Sequence, residues 1–258
     1  MKALLVGINK YPSSPLQGCV NDVTTMAELL VNNFGFSPDS IRLLVDERAT
    51  TEAILERLRW LLDDNDCIYF HYSGHGSQIA SRNDFSEVDG LTECICPVDF
   101  NWSKDKMICD DQFNQLFSRV KSNVKFTWVA DCCHSGTLYR NFSSKAKNDI
   151  PRFLPPPADL AWRIRCVKNG ASKFRDLIGN ELNVGFVSGC LDSQYSADTF
   201  IDGYYRGALS HFLLEELKAN KEVSLVKLIE GVTKKLRNNG YDQCPCVAGN
   251  RKDKPFLG

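Results

Sequence analysis

The sequence predicts an α/β fold built on a mostly parallel central sheet with helices on both faces. Three observations predict it. Short apolar runs rich in β-branched and aromatic residues alternate with amphipathic segments of helical period. Two of these runs, Ile68-Tyr69-Phe70-His71-Tyr72 and Phe126-Thr127-Trp128-Val129-Ala130, stop abruptly at small, glycine-rich polar turns. The chain has 258 residues, 43% apolar and 24% charged, an ordinary globular composition with length for a substantial core.

Taken in order, residues 2–8 read as a buried first strand with Gly7 near its end. Residues 22–34 carry Val23, Met26, Leu29, Leu30 and Phe34 on one helical face, and Gly35 is a helix stop. A second strand is expected over 41–45. Thr50 or Thr51 can cap a helix running to about residue 62 through Ile54, Leu58, Leu61 and Leu62. The third strand, 66–72, delivers His75. A helix over 110–120 precedes the strand 125–130, which delivers Cys133. A short strand at 184–188 and helices at 207–217 and 224–236 complete the pattern. Two stretches interrupt it. Residues 77–106 are long and polar, with Asp84, Glu87, Asp89, Glu93, Asp99 and Asp105; residues 140–183 are basic and contain Pro155-Pro156-Pro157. A loop longer than about 15 residues in a compact domain is usually functional or disordered.

A net charge of −1 gives no reason to expect nucleic acid or an anionic membrane as partner. No apolar run approaches the roughly 18 residues of a membrane span. Asn9, Lys10 and Gln17 break the apolar start, which suits a core strand better than a signal peptide, so a cytoplasmic protein is expected. The cysteines number 11, an odd count, and most sit in apolar runs, where reduced and buried thiols are the expectation. Cys94-x-Cys96 and Cys244-x-Cys246 lack the two-residue spacer of zinc knuckles and have no histidine nearby, so structural zinc is not expected.

In an open parallel sheet, reacting groups collect beyond the carboxyl ends of the strands. One turn, Ser73-Gly74-His75-Gly76, presents a histidine; the other, Asp131-Cys132-Cys133-His134-Ser135-Gly136, presents thiols. An imidazole beside a thiol can take its proton, leave the nucleophilic thiolate, and return the proton to a leaving amine. His75 is the expected base. His134 neighbours the thiol in sequence, but adjacent side chains in extended backbone point to opposite faces. His71, within its strand, and His211, on a helix, are expected to be structural. Alternation also lets only one of Cys132 and Cys133 face the histidine, and chemistry alone does not choose between them. The backbone amides of Gly76 and Cys133 are candidate oxyanion donors.

The segments Tyr72-Ser73-Gly74-His75-Gly76-Ser77-Gln78 and Asp131-Cys132-Cys133-His134-Ser135-Gly136 resemble those of the metacaspases and their prokaryotic relatives, which are caspase-fold cysteine peptidases. Further similarity runs along nearly the whole chain: Gly7-Ile8-Asn9-Lys10-Tyr11, Leu16-Gln17-Gly18-Cys19-Val20-Asn21-Asp22, Asp89-Gly90, Cys96-Pro97-Val98-Asp99, Ser188-Gly189-Cys190, Ser196-Ala197-Asp198 and Gly207-Ala208-Leu209. The resemblance implies a caspase-like three-layer α/β/α sandwich in a single domain over 1–258. Residues 1–139 would form a large-subunit-like region, 140–183 a basic loop or linker, and 184–258 a small-subunit-like region. It implies Cys133 as the nucleophile, being the cysteine directly before His-Ser-Gly.

The resemblance further implies cleavage after arginine or lysine, with Asp22 and Asp131 as the acidic floor of the primary pocket and Cys19 and Ser73 lining it. A desolvated guanidinium needs such carboxylates. No cofactor is required for the chemistry. Calcium activation through Asp89, Asp110 and Asp111 is the implied option, although Arg140 and Thr92 occupy positions that are commonly acidic in calcium-dependent relatives. The basic stretch is either a self-cleaved linker or a solvated loop. The expected partners are protein or peptide substrates with a basic residue at the cut, acted on by a monomer without an N-terminal adaptor. The competing readings are a caspase-fold pseudoenzyme serving as a regulatory binding protein, and a clan relative of legumain or separase type with a different primary pocket.

Overall fold

The computed structural model describes residues 1–63, 65–80, 91–133, 149–166, 178, 182–191 and 194–258. In chain order the elements are β1 (Lys2–Gly7), α1 (Cys19–Phe34), β2 (Ile41–Val45), α2 (Thr51–Leu62), β3 (Cys67–Ser73), β4 (Gly76–Ala80), β5 (Leu91–Ile95) and β6 (Ile108–Cys109). They continue with α3 (Asp110–Phe117), β7 (Lys125–Asp131), β8 (Ile150–Pro151), α4 (Ala158–Cys166), β9 (Gly185–Ser188), β10 (Ala197–Ile201), β11 (Tyr204–Gly207), α5 (Ala208–Ala219), α6 (Leu225–Asn238) and β12 (Cys246–Ala248).

Six strands make the central sheet in the order β12-β9-β7-β3-β1-β2. All its pairings are parallel except β12 with β9. Strand alternation splits the buried side chains into two cores. Leu4, Val6, Phe70, Tyr72, Trp128 and Ala130 face α2 and α3. Ala3, Leu5, Tyr69, Val129 and Val187 face α1, α5 and α6. This is a three-layer α/β/α sandwich, as the sequence predicts. Trp128 anchors the first core, with ring centroids 4.4 Å from Phe186, 4.6 Å from Phe113 and 5.8 Å from Phe70. Each such fully buried large side chain contributes roughly 1.5–3 kcal/mol through the area removed from water.

The register positions the site. Gly7 pairs with Ser73, and Ser73 with Asp131, so three neighbouring strands end level. His75 and Cys133 each lie two residues past that line, at equivalent places on adjacent strands.

The structure departs from the predicted elements where long-range contacts decide. α1 begins at Cys19, not at residue 22, because the Asn9 side chain accepts from the Cys19 amide at 2.8 Å and supplies a cap that Gly18 lacks. α3 ends at Phe117 rather than residue 120. The polar stretch 77–106 is not simply a loop: β4, β5 and β6 form a small antiparallel sheet, and Leu91 to Ile95 are buried throughout. Within the basic stretch, β8 pairs with β10, and α4 follows. β8, β10 and β11 form a third sheet. Among the described residues no helix is long and apolar enough to cross a membrane, and ten of the 11 cysteines are free thiols.

Candidate active site

His75 is fully buried and held from all sides. Its amide donates to the Tyr11 hydroxyl at 3.0 Å, and its carbonyl accepts from the Tyr72 hydroxyl at 2.7 Å and the Cys96 amide at 3.0 Å. Glycine at 74 is required by that packing: a Cβ there would lie 2.5 Å from the Tyr11 hydroxyl and 2.7 Å from that of Tyr72. The glycine therefore lets two tyrosines close on the backbone.

The ring nitrogen Nε2 lies 2.7 Å from the carbonyl oxygen of Ser14. A carbonyl only accepts, so Nε2 carries the proton, and in the neutral ring Nδ1 is left as the basic atom. Among the described residues Nδ1 is buried without a hydrogen-bond partner. Burial lowers the imidazole pKa to about 4, against a smaller opposing pull from the Ser14 carbonyl and with the Arg152 charge adding to the drop, so the ring is a neutral base at pH 7. Ser14, whose backbone sits in the left-handed region with φ 57°, escaped the sequence reading because a carbonyl carries no sequence signature.

The two thiols part as alternation requires. Cys132 turns into the core under α2 and α3, where burial raises its pKa well above the ordinary value. Cys133 continues the face of Asp131. Its sulfur accepts from the Ser196 amide and lies 3.9 Å from the Ser196 carbonyl. The sulfur of Cys190, in the turn after β9, is 3.3 Å from that of Cys133. Cys190 and Ser196 both belong to segments quoted for the resemblance, without an assigned role there. His71 and His211 stay outside this group. His71 packs on the opposite core, with Tyr69 and Ser210 at its two nitrogens, and burial lowers its pKa to about 4. His211 lies beside Asp202 and Glu215. His134 and Arg140 lie outside the described residues.

Beside Cys133 is an acidic pocket, and a guanidinium fills it. Nη2 of Arg152 lies 2.7 Å from Asp22 and 2.9 Å from Asp198; Nη1 lies 3.1 Å from the Asp131 carboxylate and 2.7 Å from the Ser73 hydroxyl. All four partners and Arg152 itself are buried. Each carboxylate is independently braced. Asp22 accepts from the Gly207 amide and the Ser73 hydroxyl, Asp131 from Ser196 and Ser210, and Asp198 from the amides of Gln17 and Gly18. Burial pushes Asp22 up to about 7, Arg152 opposes the rise, and the Asp131 charge adds to it. Three carboxylates around one cation favour a retained proton.

Cys19 is buried nearby; burial dominates its raised pKa, and the Arg152 charge acts against it. Thus Asp22, Ser73 and Asp131 contact one cation directly. Asp198 is a fourth member the sequence reading did not assign, because β10 reaches the pocket only through sheet pairing.

The rest of the segment around Arg152 runs through the cleft as a strand. Pro151 pairs with Ala197 and Ile150 with Asp198, and the Arg152 amide donates to Ser196 at 2.9 Å. The Arg152 carbonyl accepts from the amides of Gly76 and Cys133, both at 3.1 Å, the two groups proposed from sequence as oxyanion donors. The Leu154 amide then donates to Gly76 at 2.9 Å, and its carbonyl accepts from the Ser77 hydroxyl at 2.8 Å. The arrangement presents a peptide carbonyl to two amide donors beside a thiol and a neutral imidazole.

Asp89 lies outside the described residues. Asp110 is buried at the start of α3, and its oxygens accept from the amides of Asp111 and Glu93. Among the described residues the one group of three ligands close enough for a shared ion is Asp202, His211 and Glu215. Glu215 there already pairs with Lys235 at 2.8 Å. No step below is routed through a metal.

Residues 1–141 match the family model described as metacaspase, peptidase C14 domain. Metacaspase-1 of Schizosaccharomyces pombe is 32% identical, over 95% of this chain and 66% of its own length. Metacaspase-1 of Ajellomyces capsulatus is 31% identical, over 95% and 78%. Metacaspase-2 of Trypanosoma brucei brucei is 33% identical, over 97% and 73%. The chain thus spans about two thirds to three quarters of these relatives. Among solved structures, a protein from Geobacter sulfurreducens superposes with a TM-score of 0.70 at 23% identity, covering 99% of this chain and 98% of its own. Caspase-1 from Spodoptera frugiperda superposes at 0.62 and 12% identity, over 100% and 89%. Identities that low speak for the fold alone, here the caspase fold. The match to the peptidase model, together with relatives above 30% identity along nearly all of this sequence, places the chain in the metacaspase family of cysteine-type peptidases.

Proposed function

We propose that this chain is a cysteine endopeptidase that cleaves after arginine, and less well after lysine, through the pair His75 and Cys133. The observation that carries the reading is the buried Arg152 guanidinium, bound by Asp22, Asp131, Asp198 and Ser73 while its own carbonyl rests on two amides beside the thiol. A pocket that satisfies a guanidinium in this way suits substrate arginine at the same position.

In the mechanism that follows, neutral His75 takes the Cys133 proton at Nδ1, and the thiolate attacks the carbonyl carbon of the bound residue. The developing oxyanion is held by the amides of Gly76 and Cys133, a contribution worth on the order of 10²–10³ in rate per donor. Protonated His75 then gives its proton to the departing amine, leaving a thioester. Water, deprotonated by His75, hydrolyses the thioester and restores the thiol. Asp22, Asp131 and Asp198 bind and orient the basic side chain. Lysine offers one compact charge where arginine offers a planar fork to three carboxylates, so arginine is the preferred residue.

The test is a set of matched fluorogenic peptides ending in arginine, lysine, aspartate or asparagine, run with wild type and Cys133→Ala. Cleavage after arginine exceeding lysine by ~10-fold in kcat/KM, and lost in the mutant, is the expected result. Preference for asparagine would support the legumain-like alternative, and no cleavage at all the pseudoenzyme alternative. Parallel runs with calcium and with chelator test the activation implied for Asp89, Asp110 and Asp111; rates equal in both remove it.

A further inference from the structure

We infer that His71 is a positioning residue for substrate arginine: acting through Ser210, it aims one oxygen of Asp131 at the guanidinium and so sets the preference for arginine over lysine. This role rests on the reading of the site as a peptidase directed to basic residues, and it names what fixes that specificity. Strand alternation puts Tyr69, His71 and Ser73 on one face of β3. Ser73 touches the guanidinium directly, and His71 stands one step behind it, fully buried against α5. Ser210, the third residue of α5, bridges the gap. Its hydroxyl lies 2.7 Å from Oδ2 of Asp131 and 3.3 Å from Nε2 of His71. Nδ1 of His71 lies 2.9 Å from the Tyr69 hydroxyl.

The direction of each bond follows from what the groups can give. Asp131 accepts as a carboxylate, and Ser210 has one hydroxyl hydrogen to offer it. The Ser210 oxygen is then an acceptor toward Nε2, which carries the proton of the neutral ring. Nδ1 is left to accept from Tyr69. Burial keeps the ring neutral, lowering its pKa to about 4 while the Asp131 charge opposes the drop. Three hydrogens thus run one way, from Tyr69 through His71 and Ser210 to the carboxylate, and bonds aligned like this polarise one another.

The oxygen at the end of this chain is the one that faces the cation. Oδ2 lies 3.1 Å from Nη1 of Arg152, and the Ser210 amide also donates to it at 3.0 Å. Oδ1 is held separately by the Ser196 hydroxyl. A helix serine can turn its hydrogen back to a carbonyl of the preceding turn; a proton donated to its oxygen by His71 favours the Asp131 direction instead. Arginine and lysine use the pocket differently. Nη2 of the bound guanidinium meets Asp22 and Asp198, whereas Nη1 meets Asp131. The compact ammonium of lysine at the Nη2 place is served by Asp22 and Asp198 alone, so a misaimed Asp131 is felt by arginine first. Filling the core would require only that both nitrogens of His71 find partners, and specificity would not change with those partners.

The experiment offers an arginine and a lysine peptide, carrying different fluorophores, together to wild type, Ser210→Ala, His71→Asn and His71→Gln. The tethered Arg152 competes equally with both peptides and cancels in the ratio of rates. Wild type is expected to favour arginine by ~10-fold in kcat/KM. Ser210→Ala keeps the amide to Asp131 and loses the hydroxyl; His71→Asn carries its amide only as far as the place of Nδ1. Both are expected to bring the ratio down to ~2-fold or less, because a hydrogen bond to a charged group is lost or misdirected. His71→Gln reaches the place of Nε2 with a donor and should restore the ratio to within ~2-fold of wild type.

Rates that fall for both peptides with the ratio unmoved are the mark of a structural role; they overturn the inference and leave the peptidase reading intact. Should His71→Asn fail to fold, the histidine ring-nitrogen NMR spectrum of Cys133→Ala decides, with the His71 signals assigned by their loss on adding His71→Gln. The expected result is a proton on Nε2. A proton on Nδ1 overturns the inference, since Ser210 would then give its hydrogen to the ring and not to Asp131. No turnover of either peptide by wild type overturns the peptidase reading, and the role of His71 with it.

Discussion

At the scale of single residues, the sulfurs of Cys133 and Cys190 stand 3.3 Å apart, close to the contact a disulfide needs if the turn after β9 moves slightly. The neighbouring Cys133 and then burial raise the Cys190 pKa, and its sulfur is placed to resolve an oxidised Cys133. Hydrogen peroxide is expected to inactivate wild type in a way dithiothreitol reverses. In Cys190→Ser the same treatment should progress to loss that dithiothreitol does not restore. Equal recovery in both chains would remove Cys190 from this chemistry. Between Cys132 and Cys133, left open by chemistry alone, the structure separates the two by the face of β7 each continues: Cys132 belongs to the buried core that also holds Ile95, Cys96 and Ala130.

At the scale of elements, the junction of β11 and α5 shows how a turn makes a pocket. The Gly207 amide donates to both oxygens of Asp22, at 3.0 and 3.1 Å. A Cβ on Gly207 would stand 2.2 Å from Asp131 and 2.4 Å from the Arg152 guanidinium. That junction has an ordinary φ of −70°, so alanine there is not strained by the backbone. Gly207→Ala is therefore expected to fold yet to lose cleavage after arginine by ~100-fold in kcat/KM, the effect of displacing a desolvated charge pair. Cleavage after a small neutral residue should suffer less. A loss shared equally by all peptides would point to disturbed folding instead. The same element shows the limit of sequence: residues 207–217 read as a helix from apolar spacing, while the pocket made by its N-terminal edge depends on which loop lies against it.

At the scale of the whole molecule, buried charge links stability to pH. His71 and His75 are held near pKa 4 by burial, below the roughly 6.5 of an exposed imidazole. Between those values the unfolded chain binds two protons that the folded chain refuses, so stability falls as pH drops through that window. His211, lowered by burial, acts in the same direction. Asp22, raised to about 7 by burial, acts oppositely: from about 7 down to its ordinary range the folded chain holds the extra proton. The histidines outnumber it. Urea unfolding of Cys133→Ala is expected to show stability declining from pH 6.5 to 4, and His71→Gln to flatten that decline by about one proton. An unchanged slope in His71→Gln would mean that His71 is protonated in the fold.

The amino-acid sequence determined the strands that end in His75 and Cys133, the helices that cover them, and the candidate acids at 22 and 131. Hydrophobic period and glycine-rich turns are local properties, and a pocket acid carried by a recognisable motif needs no coordinates. Only the tertiary structure decided which thiol is carried into the core, that Asp198 joins the acids, that the Ser14 carbonyl fixes the tautomer of His75, and that Arg152 fills the acidic pocket. Those four depend on strand register, on backbone groups without side-chain identity, and on contacts between residues as far apart in sequence as Asp22 and Arg152. Segments whose conformation is set by such distant partners, β8 and β10 above all, carry too little local pattern to be read before the chain is folded.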